Sequence, residues 1–286
     1  MTWSPEFRLE ADQPARQRVE MLGAIAGDII GSVHEFSRNE DAGFPLFAEK
    51  SCPTDDSLLT WAVAETILRG ERDYKPRLVG MVSYYEKNGH LAPLSAAFGG
   101  GFLGWVYDGA PGERDSFGNG AAMRVSPVAW AFDDLESVLE HATLSARPSH
   151  AHPEGIKGAQ AVAAAIWTAR KTRNPAAVRA VAENFYGSLP DLAEIRRTHT
   201  YNETCQGCVP ECLAIAVGTD DFESAVRFAA SVRGDADTLA AITGSVSQAL
   251  WGVPRAIREQ SLAIAARCYP GMERTVAEFE AKFGGY

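Results

Sequence analysis

Two short segments gather oxygen donors at the starts of helical patterns. Cys52-Pro53-Thr54-Asp55-Asp56-Ser57 precedes a pattern running through Trp61, and Arg233-Gly234-Asp235-Ala236-Asp237-Thr238 precedes one running through Ile242. Capping is one reading, because a Thr or Asp side chain accepts a hydrogen bond from a free amide and the helix dipole favours a carboxylate there. A cap needs a single acceptor, however, and these segments supply four carboxylates and two threonine hydroxyls. Adjacent carboxylates repel unless a cation lies between them or one is protonated. Sets of Asp and Thr oxygens suit the hard ions Mg2+ and Mn2+, not Zn2+, which prefers nitrogen and sulfur. If the fold brings the two helix starts together, they form a carboxylate cage for one or two divalent ions.

Three further segments carry polar groups in suggestive settings. Gly23, Gly27 and Gly31 form a stripe without side chains on one helical face, against which another backbone can pack, and Glu35 follows near the end of that helix. This is no dinucleotide fingerprint, since Gly-x-Gly-x-x-Gly is absent and no strand precedes it. In Asp115 to Arg124, Gly118-Asn119-Gly120 offers positive φ and unobstructed amides just before a helix, an anion cradle suited to phosphate, although Asn-Gly also marks ordinary turns. Ser149-His150-Ala151-His152-Pro153 places two imidazoles at i and i+2, but the proline and the lack of a third nitrogen favour polar contacts over a metal.

Taken in order, these segments resemble the ADP-ribosylglycohydrolase family. The match rests on Gly23-Ala-x-x-Gly27-Asp28-x-x-Gly31 with Glu35, on Thr54-Asp55-Asp56, on Ser116-Phe-Gly-Asn-Gly-Ala-Ala-Met-Arg124, on His150 with His152-Pro153, and on Asp235-Ala-Asp237-Thr238-x-Ala-Ala-Ile-x-Gly244. The resemblance implies a compact orthogonal all-α fold with a binuclear Mg2+ centre at converging helix N-termini, Mn2+ being able to substitute. It implies a hydrolase that frees ADP-ribose from a modified protein or small molecule by cleaving the glycosidic bond at the anomeric carbon. Carried over by position, Thr54, Asp55, Asp56, Asp235, Asp237 and Thr238 would be the metal ligands. Ser116, Phe117, Gly118, Asn119, Gly120 and Met123 would line the ADP-ribose pocket, with the pyrophosphate on the loop amides. His150 would meet the phosphate or ribose side, and Glu35 would face the scissile bond. Two positions depart from the family: relatives commonly have Gly where this chain has Arg233 and a hydroxyl residue where it has Ala236.

The chemistry of such a bond suits these residues. Hydrolysis at an anomeric carbon passes through an oxocarbenium-like state and needs a positioned water and help for the leaving group. Water activation falls to the Asp235/Asp237 pair or to Asp55/Asp56, and the sequence does not choose between them. Glu35 is the candidate for orienting or protonating the leaving group.

Helices must position these groups. Apolar spacings of three and four predict helices over Ser57–Leu68 and, rich in Ala, Gly158–Trp167. Pro127–Ser145, Asp191–Arg197, Pro210–Val217, Phe222–Val232, Thr238–Trp251 and Ser261–Cys268 read the same way, and no βαβ rhythm is visible, so the expectation is all-α. Phe98 to Gly120 reads as a long glycine-rich loop, residues 1–16 as a poorly ordered tail, and residues 17–286 as one domain.

Composition removes several function classes. The 286 residues carry 27 Lys and Arg against 37 Asp and Glu, a net charge of −10, which argues against a general nucleic-acid surface. The longest apolar stretch, Leu22 to Val33, contains Asp28 and is too short to span a bilayer; with a charged start lacking an apolar core, a cytoplasmic protein is expected. Five cysteines do not suggest a secreted disulfide framework. Cys205-x-x-Cys208 with Cys212 is the strongest rival signal, for a zinc or iron–sulfur site, but no fourth ligand is evident nearby and Pro210 before an apolar run favours a packed Cys212. A non-catalytic ADP-ribose binder and another two-metal hydrolase, such as a nucleotide pyrophosphatase, are the remaining alternatives.

Overall fold

Alanine- and leucine-rich runs with polar caps fold here as helices. The computed structural model describes residues 21–35, 42–88 and 97–284, so the expected tail over 1–16 lies outside the described residues. Among them there is no strand, only an isolated bridge between Gly118 and Thr204. In chain order the helices are α1 (Leu22–Gly31), α2 (Asp55–Leu68), α3 (Lys75–Asn88), α4 (Gly100–Tyr107), α5 (Gly120–Met123), α6 (Ser126–Ala131), α7 (Leu135–Ala146) and α8 (Pro153–Thr172). They continue with α9 (Pro175–Tyr186), α10 (Leu192–Thr198), α11 (Cys205–Gly218), α12 (Phe222–Ala230), α13 (Ala236–Trp251), α14 (Arg255–Cys268) and α15 (Met272–Phe283). No described helix is long and apolar enough to cross a membrane.

The all-α expectation holds, with three local corrections. The glycine-rich stretch is not one loop, because α4 forms within it: Phe102, Leu103 and Trp105 turn inward while Gly100, Gly101 and Gly104 stay exposed. The predicted helix over Pro127–Ser145 is two helices, broken where Phe132 turns extended and Asp134 caps α7 through the Ser137 amide at 2.7 Å. The third begins earlier than predicted: Thr204 caps α11 through the Gly207 amide at 3.1 Å, leaving Pro210 inside the helix.

α13 runs through the centre, buried from Ala236 to Leu250, with α1, α12, α11 and α8 packed around it. The closest of these contacts is with α1. A Cβ added at Gly27 would lie 2.1 Å from the carbonyl oxygen of Ala240, and one at Gly31 would lie 2.5 Å from that of Ala236. Backbone thus lies on backbone, closer than any side chain permits, and neither partner can yield without moving a helix. The small Ala236 belongs to this contact, whereas Arg233 is exposed.

Gly27→Ala should therefore destabilise the protein by about 3 kcal/mol or more, the upper end of overpacking costs, because backbone rather than a flexible side chain must shift. The midpoint of urea unfolding measures this, and an unchanged midpoint would contradict the close helix contact.

Candidate active site

The contact between α1 and α13 carries Asp28 to the start of α2. Asp28 is fully buried, and its carboxylate accepts from the Thr54 amide at 2.9 Å, the Thr54 hydroxyl at 2.7 Å, the Ser57 amide at 3.1 Å and, in a short bond, the Ser57 hydroxyl. One carboxylate thereby holds the whole first turn of α2. Thr54 also caps that helix, accepting from the Asp56 amide at 3.3 Å. The start of α13 is held differently. Asp235 stands at its N-cap but caps nothing with its side chain; it accepts from the Asn119 amide side chain at 2.6 Å instead. Thr238 joins the two helix starts by donating its hydroxyl to Asp56 at 3.2 Å.

Two groups of carboxylates result, each with oxygens lying within 4.8 Å of one another: Asp28, Asp56 and Asp237, and Glu35, Asp235 and Asp237. Burial, with added repulsion from Asp237, pushes Asp28 up to about 7. Glu35, half-buried on the turn after α1, is raised to about 8 by burial and then by Asp237, Glu203 and Asp28. Burial and mutual repulsion hold Asp55, Asp56 and Asp235 well above the usual carboxylate range, and burial raises Asp237. Such crowding of one sign calls for a cation or shared protons. One atom tests the fit directly: the Asp56 oxygen Oδ1 is buried and has no hydrogen-bond partner among the described residues. An orphaned carboxylate oxygen amid other carboxylate and hydroxyl oxygens is what a hard divalent ion requires. Asp28 has its lone pairs engaged by Thr54 and Ser57, so it stands as a support behind the other carboxylates.

These carboxylates form one wall of a cleft of about 370 Å³. Glu35, Asp55, Asp56, Asp235, Asp237 and Thr238 line it, and Ser116, Gly118, Asn119, Gly120, Met123 and His150 line it as well. Two expected positions do not. Thr54 lies behind the wall as cap and partner of Asp28, and Phe117 turns outward, 45% exposed, with its ring edge-on to His152 at 5.3 Å.

The Gly118–Gly120 loop also differs from expectation. Neither glycine has positive φ, and Asn119 sits at −73°. The loop is shaped by pairing with the segment before α11: the Asn119 amide donates to the Glu203 carbonyl at 2.7 Å, and the Cys205 amide donates to that of Phe117 at 2.9 Å. The Gly118 amide is engaged too, by the Ser116 hydroxyl at 3.2 Å. Most of the expected amide cradle is therefore spent inside the protein. Gly120 is needed for room, since a Cβ there would lie 3.0 Å from the His150 ring.

Sequence reasoning passed over several cleft residues. Tyr201 and Glu203 come from a stretch with no recognisable pattern, Arg114 precedes the Ser116 motif, and Arg124 closes that motif without entering the expected set of site residues. Asp28 had a signal, an acid inside an otherwise apolar helix. The cysteines are packed: Cys205, Cys208 and Cys212 are buried in α11, and the Cys205 thiol donates to the Gly118 carbonyl at 3.1 Å. Among the described residues the clustered metal-ligand groups are the two acidic ones, without a cysteine.

Comparison with known proteins agrees with this geometry. A family model described as ADP-ribosylglycohydrolase matches residues 10–281. The ADP-ribosylarginine hydrolase Tri1 of Pseudomonas putida is 24% identical over 277 residues, covering 88% of this chain and 73% of that one. The ADP-ribosylhydrolase ARH3 of Bos taurus is 27% identical over 188 residues, covering 53% of this chain and 49% of its own length, so that match spans about half of the relative. A solved structure described as an ADP-ribosylglycohydrolase-related protein complex shares the fold, with a TM-score of 0.66 at 24% identity over 93% of this chain and 96% of that one.

A cation that relieves this crowding must stabilise the folded chain. Mg2+ or Mn2+ at a hundredfold excess over its dissociation constant should add about 2.7 kcal/mol, seen as a rise of several degrees in Tm. Asp28→Asn, which disturbs the support behind the ligands, should weaken that ion's affinity by about 10- to 100-fold in calorimetric titration. A Tm indifferent to both ions would remove the cation from this site.

Proposed function

This chain belongs to the ADP-ribosylglycohydrolase family, and we propose that it hydrolyses the glycosidic bond at the anomeric carbon of ADP-ribose, releasing it from a modified protein side chain or a small molecule. The observation that carries this reading is the meeting, on one cleft wall, of two acidic helix starts with Glu35. Asp55, Asp56, Asp235 and Asp237, with Thr238, would hold Mg2+ as two ions, with Mn2+ as a substitute, and Thr54, expected among the ligands, supports them from behind as cap of α2 and partner of Asp28. Bound there, the ions supply the positive charge that orients ribose hydroxyls and makes a water more acidic. The chain's own residues do the rest. A carboxylate of the Asp235/Asp237 or Asp55/Asp56 pair accepts the proton of the attacking water. Asn119 holds Asp235 in place through its side-chain amide. Glu35 belongs to neither helix start; from its turn it reaches the cleft beside Asp235 and Asp237, where it orients or protonates the leaving atom. Ser116, Gly118, Gly120, Met123 and His150 grip the ADP-ribose, and Arg114 adds a positive charge to the same cleft.

A small panel of linkages tests this: ADP-ribose joined to arginine, to serine, to a nucleobase and as an ester, each with and without Mg2+. At least one should be hydrolysed with Mg2+ and none in excess chelator. Glu35→Gln keeps the size of the side chain and removes the acid. It should lower kcat by about 10²–10⁴ while leaving free ADP-ribose affinity nearly unchanged. Tight ADP-ribose binding with no turnover on any linkage would make the protein a binder, and full activity in chelator would overturn the metal assignment.

A further inference from the structure

At the edge of the cleft three side chains form a hydrogen-bonded line, Arg124, Ser149 and His150, and the proposed reaction gives the first two no task. Arg124 is fully buried, and its Nη2 donates to the Ser145 carbonyl at 2.9 Å and to the Ser149 hydroxyl oxygen at 2.8 Å. The same Ser149 oxygen lies 2.8 Å from Nδ1 of His150. We infer that Arg124 and Ser149 are positioning residues that fix the His150 proton on Nε2, so that the imidazole presents a hydrogen-bond donor to the substrate.

Counting donors and acceptors gives the direction of each bond. A guanidinium only donates, and Nη2 has two hydrogens, one for each of its partners here. Ser149 therefore accepts from Arg124 and has its own hydrogen left. Ser149 is fully buried, and Nδ1 is the acceptor this hydrogen meets. Were Nδ1 the protonated nitrogen, the hydroxyl hydrogen would be sealed in without an acceptor, which buried donors rarely tolerate. So Nδ1 accepts, and the single ring proton sits on Nε2. Burial and the charges of Arg124 and Arg114 push His150 well below the usual histidine range, which keeps a second proton off the ring.

Nε2 is the atom turned toward the loop. A Cβ at Gly120 would lie 3.1 Å from it, and one at Gly118 would lie 3.5 Å away. His150 lines the cleft there together with Arg114. A neutral N–H beside a positive charge recognises an acceptor oxygen. On the proposed reading of the cleft, which this step requires, that oxygen belongs to ADP-ribose.

The ring nitrogens can be read directly from protein labelled with 15N-histidine, without ligand, with His150→Gln identifying the signal. The expected result is protonated Nε2 and bare Nδ1 in the native protein. Ser149→Ala should release the tautomer into a mixture and weaken ADP-ribose by about tenfold, with a smaller effect on kcat. Ser149→Thr, which keeps the hydroxyl, should restore both. A proton on Nδ1 in the native protein, or a tautomer indifferent to Ser149→Ala, would overturn the inference. A released tautomer with unchanged ADP-ribose affinity would overturn the donor role toward substrate. Should Ser149→Ala not fold, the native spectrum alone decides the tautomer. If the native protein binds no ADP-ribose, the functional reading falls, while the ring spectrum still decides the relay.

Discussion

The main chain of α1 rests directly on that of α13, and the cleft takes its geometry from this contact. Glycine at 23, 27 and 31 allows it, with the Gly23 amide bonding the Gln248 side chain at one end and Gly31 lying against Ala236 at the other. The approach sets Asp28, in the middle of α1, beside the start of α13, where Asp237 and Thr238 begin. Asp28 in turn grips Thr54 and Ser57 and so fixes where α2 starts. Two helix N-termini far apart in sequence are brought together by a third helix, whose glycine face lies on α13 and whose one carboxylate holds α2.

That arrangement opposes electrostatic comfort. Carboxylates prefer water, and these are gathered where burial raises each of them and each raises its neighbours. The surrounding apolar packing of α8, α11 and α13 supplies the stability that lets the cluster persist. Local rules are satisfied for Asp28, with its several donors, and broken for Asp56, whose Oδ1 has none. A carboxylate oxygen left unpaired among so many like charges fits a place kept for a ligand rather than for folding.

How much of this could be read from the sequence depended on whether a residue's task was local. Thr54-Asp55-Asp56 and Asp235 to Thr238 were legible because a helix start is itself a local signal, and too many acids at one is visible in a short window. The convergence of the two was not, since it rests on backbone contact with α1. Asp28 read as an interruption of an apolar run; its task appears only beside Thr54 and Ser57. Tyr201 and Glu203 were invisible because their loop is placed by pairing with residues 117–119. The expected positive φ of the Asn-Gly loop failed for the same reason, as pairing and the His150 ring decide its shape. α4 was missed because glycine argues against a helix, yet its glycines face outward and its aromatic side chains carry the packing.

Bonds between distant parts of the chain also set a timetable. Gly23 meets Gln248, Asn119 meets Asp235, and Asp56 meets Thr238. A chain emerging from the ribosome makes α1 and α2 well before α13. Until α13 is made, α1 has a glycine face with no partner, and the acids of α2 stand apart from those they will crowd. Competence therefore arrives in a single late step, when one central helix is added, and no earlier stretch of the nascent chain possesses a share of it.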